Sequence, residues 1–122
     1  MADKLTSRQL AQLAALEPLP QRFAQIHRLV EEIAGLRADD ATTRRLCRIL
    51  DESRASMNSV GLTPLSEQLG VMGMLARRGA GIQMKVRGLR EGLAGLKINY
   101  EGALRSAKTP ESRPPEELGT KS

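Results

Sequence analysis

The 122-residue chain has almost no aromatic residues: one phenylalanine (Phe23), one tyrosine (Tyr100) and no tryptophan. Its apolar content rests mostly on Leu, Ala, Met and Ile. Leu, Ala and Met favour helices, whereas strands draw on aromatic and β-branched side chains, so the composition argues against sheets and for an all-α fold. A single cysteine, Cys47, excludes an intramolecular disulfide and any cysteine-based zinc cluster. Small secreted domains usually need cross-links, so one thiol fits a reducing compartment. The first residues lack the apolar core of a signal peptide, and no run approaches the roughly 20 apolar residues that cross a bilayer. A cytoplasmic protein is expected.

Catalytic constellations are absent too. The one histidine, His27, sits among Gln25, Arg28, Glu31 and Glu32 and reads as a polar residue beside an apolar stripe. The lysine-glycine pattern that usually follows a phosphotransfer histidine is missing. Glu31-Glu32, Asp39-Asp40 and Asp51-Glu52 are adjacent pairs whose members diverge on a helix, so they supply neither an acid/base couple nor a metal box. Cys47, between Leu46 and Ile49, reads as a small buried residue. No enzyme activity, cofactor or metal is expected.

What is present is a series of helical signals within one domain over 1–108. Thr6 with Gln9 forms a capping box, and Leu5 with Leu10 suits a hydrophobic staple. Leu10, Leu13 and Leu16 line the first helix. Pro18 and Pro20 make a rigid connector, with Pro20 in the first turn of the next helix. Phe23, Ile26, Val30 and Ile33 then form one stripe, widened by Leu29 and Leu36. Asp39 or Asp40 caps a third helix carrying Leu46, Ile49, Leu50, Met57 and Val60, which closes at Gly61. The signals predict helices over 6–17, 20–38, 40–60, 64–78 and 81–107, with a disordered Pro-rich tail over 109–122. Two glycines in Gly79-Ala80-Gly81 favour a break there. A bundle of three to five helices is expected, either compact or extended by a projecting helical arm at 81–107.

From Gly81 the sequence falls into sevens, with glycines at 81, 88, 95 and 102. Ile82, Val86, Leu89, Leu93, Leu96 and Tyr100 alternate four and three apart, a coiled-coil-like heptad seam. Each helical glycine costs about 1 kcal/mol relative to alanine, so their repetition needs an offsetting gain. Side-chain-free positions in a line let a second backbone approach closely. Charge follows the same segment. Residues 77–108 carry eight Lys/Arg against Glu91 and Glu101, a surplus of six, whereas residues 1–76 are balanced. With Val86, Leu93 and Tyr100 at a and Ile82, Leu89 and Leu96 at d, Arg78 and Lys85 fall at g and Arg90 and Lys97 at e. All four are positive, which disfavours self-pairing through the 82–100 seam and favours an acidic helical partner. That partner is either another protein or an acidic group of this chain, such as Glu31, Glu32, Asp39, Asp40, Asp51 or Glu52.

The stretch from Leu65 to Val71, followed by Leu75 and Arg77-Arg78, resembles a helix-turn-helix DNA-reading unit. Ser66 stands four before Gly70, as a small residue does before the turn glycine in such motifs. The resemblance implies that residues 72–78 enter the major groove, with Arg77 and Arg78 touching guanine or phosphate. Met72, Met74 and Met84 offer an adaptable binding groove or core filler.

The sequence therefore predicts a non-enzymatic protein–protein interaction module: an adaptor, assembly or regulatory subunit with a glycine-lined basic helix. Its expected partner-binding residues are Ile82, Val86, Leu89, Leu93 and Leu96 for burial, Lys85, Arg90 and Lys97 for charge, and Gly88 and Gly95 for close approach. The alternative is a DNA-binding regulator acting through 63–78 and the basic stretch 77–90, with Arg77, Arg78, Lys85 and Arg87 on nucleic acid.

Overall fold

The computed structural model describes residues 4–35, 39–79 and 81–111. Thr6 opens α1 (Ser7–Leu16) with both halves of the capping box formed. The box also reaches across the molecule. Oε1 of Gln9 accepts from the Thr6 amide at 2.9 Å, while its Nε2 donates to the carbonyls of Ser106 (3.3 Å) and Thr109 (2.6 Å). Gln9 is only 3% exposed, so one side chain joins the start of the first helix to the end of the last.

Helix α2 (Leu19–Ala34) follows after Glu17 and Pro18, with Pro20 in its first turn. It buries Phe23, Ile26, Leu29, Val30 and Ile33, the stripe that the spacing picks out. The expected continuation over 36–38 lies outside the described residues. Asp39 caps α3 (Asp40–Ser59) by accepting from the Thr42 amide at 3.0 Å, and those Thr42 hydrogen bonds hold its carboxyl below the usual range.

Helix α3 ends in a Schellman turn. The Leu62 amide donates to the Met57 carbonyl (2.9 Å) and the Gly61 amide to the Asn58 carbonyl (3.2 Å), with Gly61 at φ 76°. Helix α4 (Thr63–Arg77) runs back along α3, the chain turns extended at Arg78, and α5 (Ile82–Lys108) begins after Gly81. The basic segment is thus two helices. α5 packs against α4, α2 and α1, so it is an integral wall of the bundle and not a projecting arm.

The core gathers side chains from all five helices. Leu16, Ile26, Leu46, Leu50, Met57, Leu89 and Leu96 are completely enclosed. Phe23 and Tyr100, the only aromatic residues in the chain, meet edge to face with ring centroids 5.5 Å apart. Among the described residues there is no strand, and no helix is long and apolar enough to cross a membrane.

The left-handed conformation at Gly61 gives a direct test. Gly61→Ala should lower stability by about 1 kcal/mol or more, read as a fall in the urea midpoint with unchanged slope, because a β-carbon is strained at that φ.

Candidate functional site

The glycine line of α5 divides into parts with different surroundings. A β-carbon placed on Gly88 would lie 2.8 Å from Cδ1 of Leu75, and one on Gly95 would lie 3.3 Å from Nε2 of Gln68. Both neighbours belong to α4. Gly92, which is outside the series of sevens, is packed just as closely: its β-carbon would fall 2.9 Å from Cγ of Met72. Gly88, Gly92 and Gly95, spaced four and three apart, form the strip on which the α4 side chains rest. Real β-carbons essentially never lie under 3.0 Å from another heavy atom, so a residue larger than glycine forces Leu75 or Met72 to move. Gly81 has another role: it lies outside the helix as the N-cap of α5. Gly102 is helical but meets nothing within 4 Å.

The apolar seam faces inward with the same rotation. Val86, Leu89, Leu93 and Leu96 are all buried in the core, while Ile82 at the helix start stays exposed. The seam residues expected to meet a partner are therefore filled by the chain's own helices. A heptad pattern reports a buried face without saying whose surface covers it.

The charged flank is partly answered within the chain as well. Nε and a terminal nitrogen of Arg90 donate to the two carboxylate oxygens of Glu31 on α2, at 2.9 and 2.7 Å. The Arg90 hydrogen bond holds the Glu31 carboxyl below its ordinary value and raises the guanidinium above its own. Lys85 is half-buried and borders a cleft between α3 and α4 with Cys47, which is itself half-buried. Lys97 is exposed beside Phe23 and Ile98. Neither lysine has a carboxylate partner among the described residues.

The helix-turn-helix resemblance does not survive in the backbone. Such a unit needs a turn at Gly70, but α4 is unbroken from Thr63 to Arg77. Ser66 and Gly70 are small for a different reason. Ser66 is buried, and a β-carbon on Gly70 would sit 3.2 Å from Nε of Arg54 on α3. Arg77 is held against α3 by Asp51 and donates to the Gly73 carbonyl at 3.3 Å, so it is not extended for reading bases. Arg78 and Arg87 are exposed, Arg87 facing Glu91 one turn on at 3.8 Å.

Beside the glycine strip lies a feature that the sequence pattern did not single out. Val71 and Met74 on α4, and Met84 and Ile98 on α5, are between 60% and 75% exposed. At 100° per residue all four point away from the buried stripe of their own helix. Between α4 and α5 runs a groove of about 400 Å³, with Val71 and Leu75 on one side and Gly88 and Gly92 on the other. Of the four, only Val71 borders that groove, while Ile98 borders the cleft between α5 and Pro20, Phe23 and Ala24 of α2. Of the three methionines, Met72 is core while Met74 and Met84 are surface. Ile98 and Met84 are two heptads apart, a signal legible in the sequence but masked by the stronger seam.

Among the described residues no three His, Cys, Asp or Glu side chains gather as a metal site, and His27 is exposed. The chain matches no family model, no curated protein and no solved structure.

Two outcomes follow from this geometry. Gly102→Ala should raise stability by about 0.5–1 kcal/mol through helix propensity alone, whereas Gly92→Leu should lower it by about 1–3 kcal/mol through overpacking against Met72, both read by urea unfolding. Glu31 has a folded pKa below its unfolded one. Its contribution is complete above the unfolded value and disappears as pH falls through the lower, folded value. Stability measured from neutral pH into the acid range should therefore fall less steeply for Glu31→Gln than for the parent protein.

Proposed function

We propose that the chain is a non-enzymatic protein–protein interaction module, an adaptor, assembly or regulatory subunit. Its outward α4–α5 face receives a helical protein partner. The observation that carries this reading is the glycine-floored groove between α4 and α5 with the exposed Val71 on its rim, flanked on the same two helices by the solvent-exposed Met74, Met84 and Ile98. Single exposed apolar residues are ordinary, but four on two adjacent helices, one of them on a groove, favour a surface that gains from being covered. A helix laid along such a groove inserts side chains at i, i+3, i+4 and i+7, and methionines adapt to the shape they meet.

Acidic flanks on the partner suit this surface. Of the eight cations in 77–108, Arg77, Arg87 and Arg90 are ion-paired, whereas Arg78, Lys85, Lys97, Arg105 and Lys108 have no carboxylate partner among the described residues. Arg78 is exposed directly after the end of α4, the helix that carries Val71 and Met74. Relative to the expectation from sequence, the partner meets the back of the glycine-lined helix and not its seam. A reducing, cytoplasmic setting goes with the single thiol.

Capture from extracts of the native host with the parent protein and with a Val71→Asp/Ile98→Asp double variant tests the reading. The double variant should retain its thermal melt and lose at least about tenfold of the captured partner, as loss of a central apolar anchor does. Equal capture by both proteins would refute this surface. Titration with duplex DNA supplies the second arm. Affinity falling steeply with salt and lost in Arg78→Gln/Lys85→Gln would assign the basic surface to nucleic acid instead.

A further inference from the structure

A cavity of about 910 Å³ lies at the end of the bundle where α1 and α4 begin and α5 finishes. Leu62, Pro64, Leu65 and Ala103 give it an apolar wall. Arg8 and Arg105 also line it, and neither has a carboxylate partner among the described residues. Glu111 lies at the cavity as well, outside ion-pair distance of both arginines. Helix α4 starts here with no side-chain cap. Pro64 has no N–H and the Ser66 amide donates to the Leu62 carbonyl, so the amides its first turn leaves for an anion at the positive end of the dipole are those of Thr63 and Leu65.

Two further observations point to an occupant. Gln12 is 9% exposed and lines the cavity, and its Nε2 donates to the Val60 carbonyl at 3.1 Å. Its Oε1 has no donor among the described residues, an unused acceptor in a position where such groups are normally satisfied. Gly102 also borders the cavity and carries no packing that explains a glycine in the sixth turn of a helix. A side chain there would project into open space, so glycine keeps that stretch of wall clear.

We propose that this cavity binds the free C-terminus of a peptide ending in an apolar residue. The carboxylate is received by Arg8, Arg105 and the start of α4. The last side chain lies on Leu62, Leu65 and Ala103, and a peptide N–H donates to Oε1 of Gln12. The volume falls within the range of small-ligand sites, and capture of a terminal carboxylate by backbone amides is a recurrent mode. The cavity shares only Pro64 and Asn99 with the outward groove, and the proposal does not rest on the helical-partner reading.

The test uses the full chain, isotopically labelled and followed by amide NMR. The probe is a pool of N-acetylated tetrapeptides ending in Leu, Val or Met with a free carboxyl group. Saturable shifts are expected at the amides of Gln12, Leu65 and Gly102. Amidating the carboxyl group should weaken binding at least about tenfold, since charge-assisted hydrogen bonds are lost. Arg8→Gln/Arg105→Gln should do the same, and Gly102→Leu should abolish binding while the melt is kept. Val71→Asp should leave binding unchanged, which separates this site from the outward face. No saturable shift at these amides, or equal binding of the amidated pool, overturns the proposal. Binding of octanoate with the peptide pool silent also overturns it and assigns the cavity to a lipid-like carboxylate.

Discussion

The close approach of α4 to the glycine strip of α5 is the contact on which the rest of the arrangement depends. Leu75, Met72 and Gln68 rest where Gly88, Gly92 and Gly95 have no side chains, and this fixes both the separation and the rotation of the two helices. Each glycine costs about 1 kcal/mol of helix propensity, and full burial of a side chain such as Met72 returns about 1.5–3 kcal/mol, with the partly buried Leu75 adding to that return. Once α5 is rotated this way, its seam enters the core, Tyr100 meets Phe23, and Arg90 stands opposite Glu31. Its far end reaches Gln9 of α1, which closes the bundle. Features that look independent along the chain follow from one interhelical contact.

The same contact separates the molecule's inward and outward roles. Residues that repeat every three to four positions on α5 are used up inside, and so are the charge of Arg90 and that of Arg77. Left exposed are Val71 at the α4–α5 groove, Met74, Met84 and Ile98 on the same two helices, and the end cavity with its two arginines. Both lie against glycines, but for different purposes. Gly88 and Gly92 admit side chains of the chain itself, whereas Gly102 leaves a wall bare.

Local signals were readable wherever the physics is local. The Thr6–Gln9 box, the Asp39 cap, the Gly61 turn and the α2 stripe are each decided by neighbours within a few residues. The glycine series was recognisable as a packing device, but its members were not equivalent. Gly81 caps and Gly102 opens, while Gly92 hid because it breaks the count of seven although it obeys the four-and-three spacing of a helix face. The reach of Gln9 across to Ser106 and Thr109 has no local signature, since those carbonyls are about a hundred residues away in sequence. The helix-turn-helix resemblance misled for a related reason. Small residues at Ser66 and Gly70 serve burial and the α3 crossing, and a short pattern does not distinguish a packed helix from a turn.

The central claim is that α5 is glycine-rich so that α4 can lie directly upon it, and a double-mutant cycle tests it most directly. Unfolding free energies would be measured for Gly88→Leu, Leu75→Ala and the pair together. If the two side chains compete for one space, the combined variant will be more stable than the sum of the single losses allows, with a coupling of about 1 kcal/mol or more. Strict additivity would mean that Gly88 and Leu75 do not share that space, and the account of the hairpin would fail.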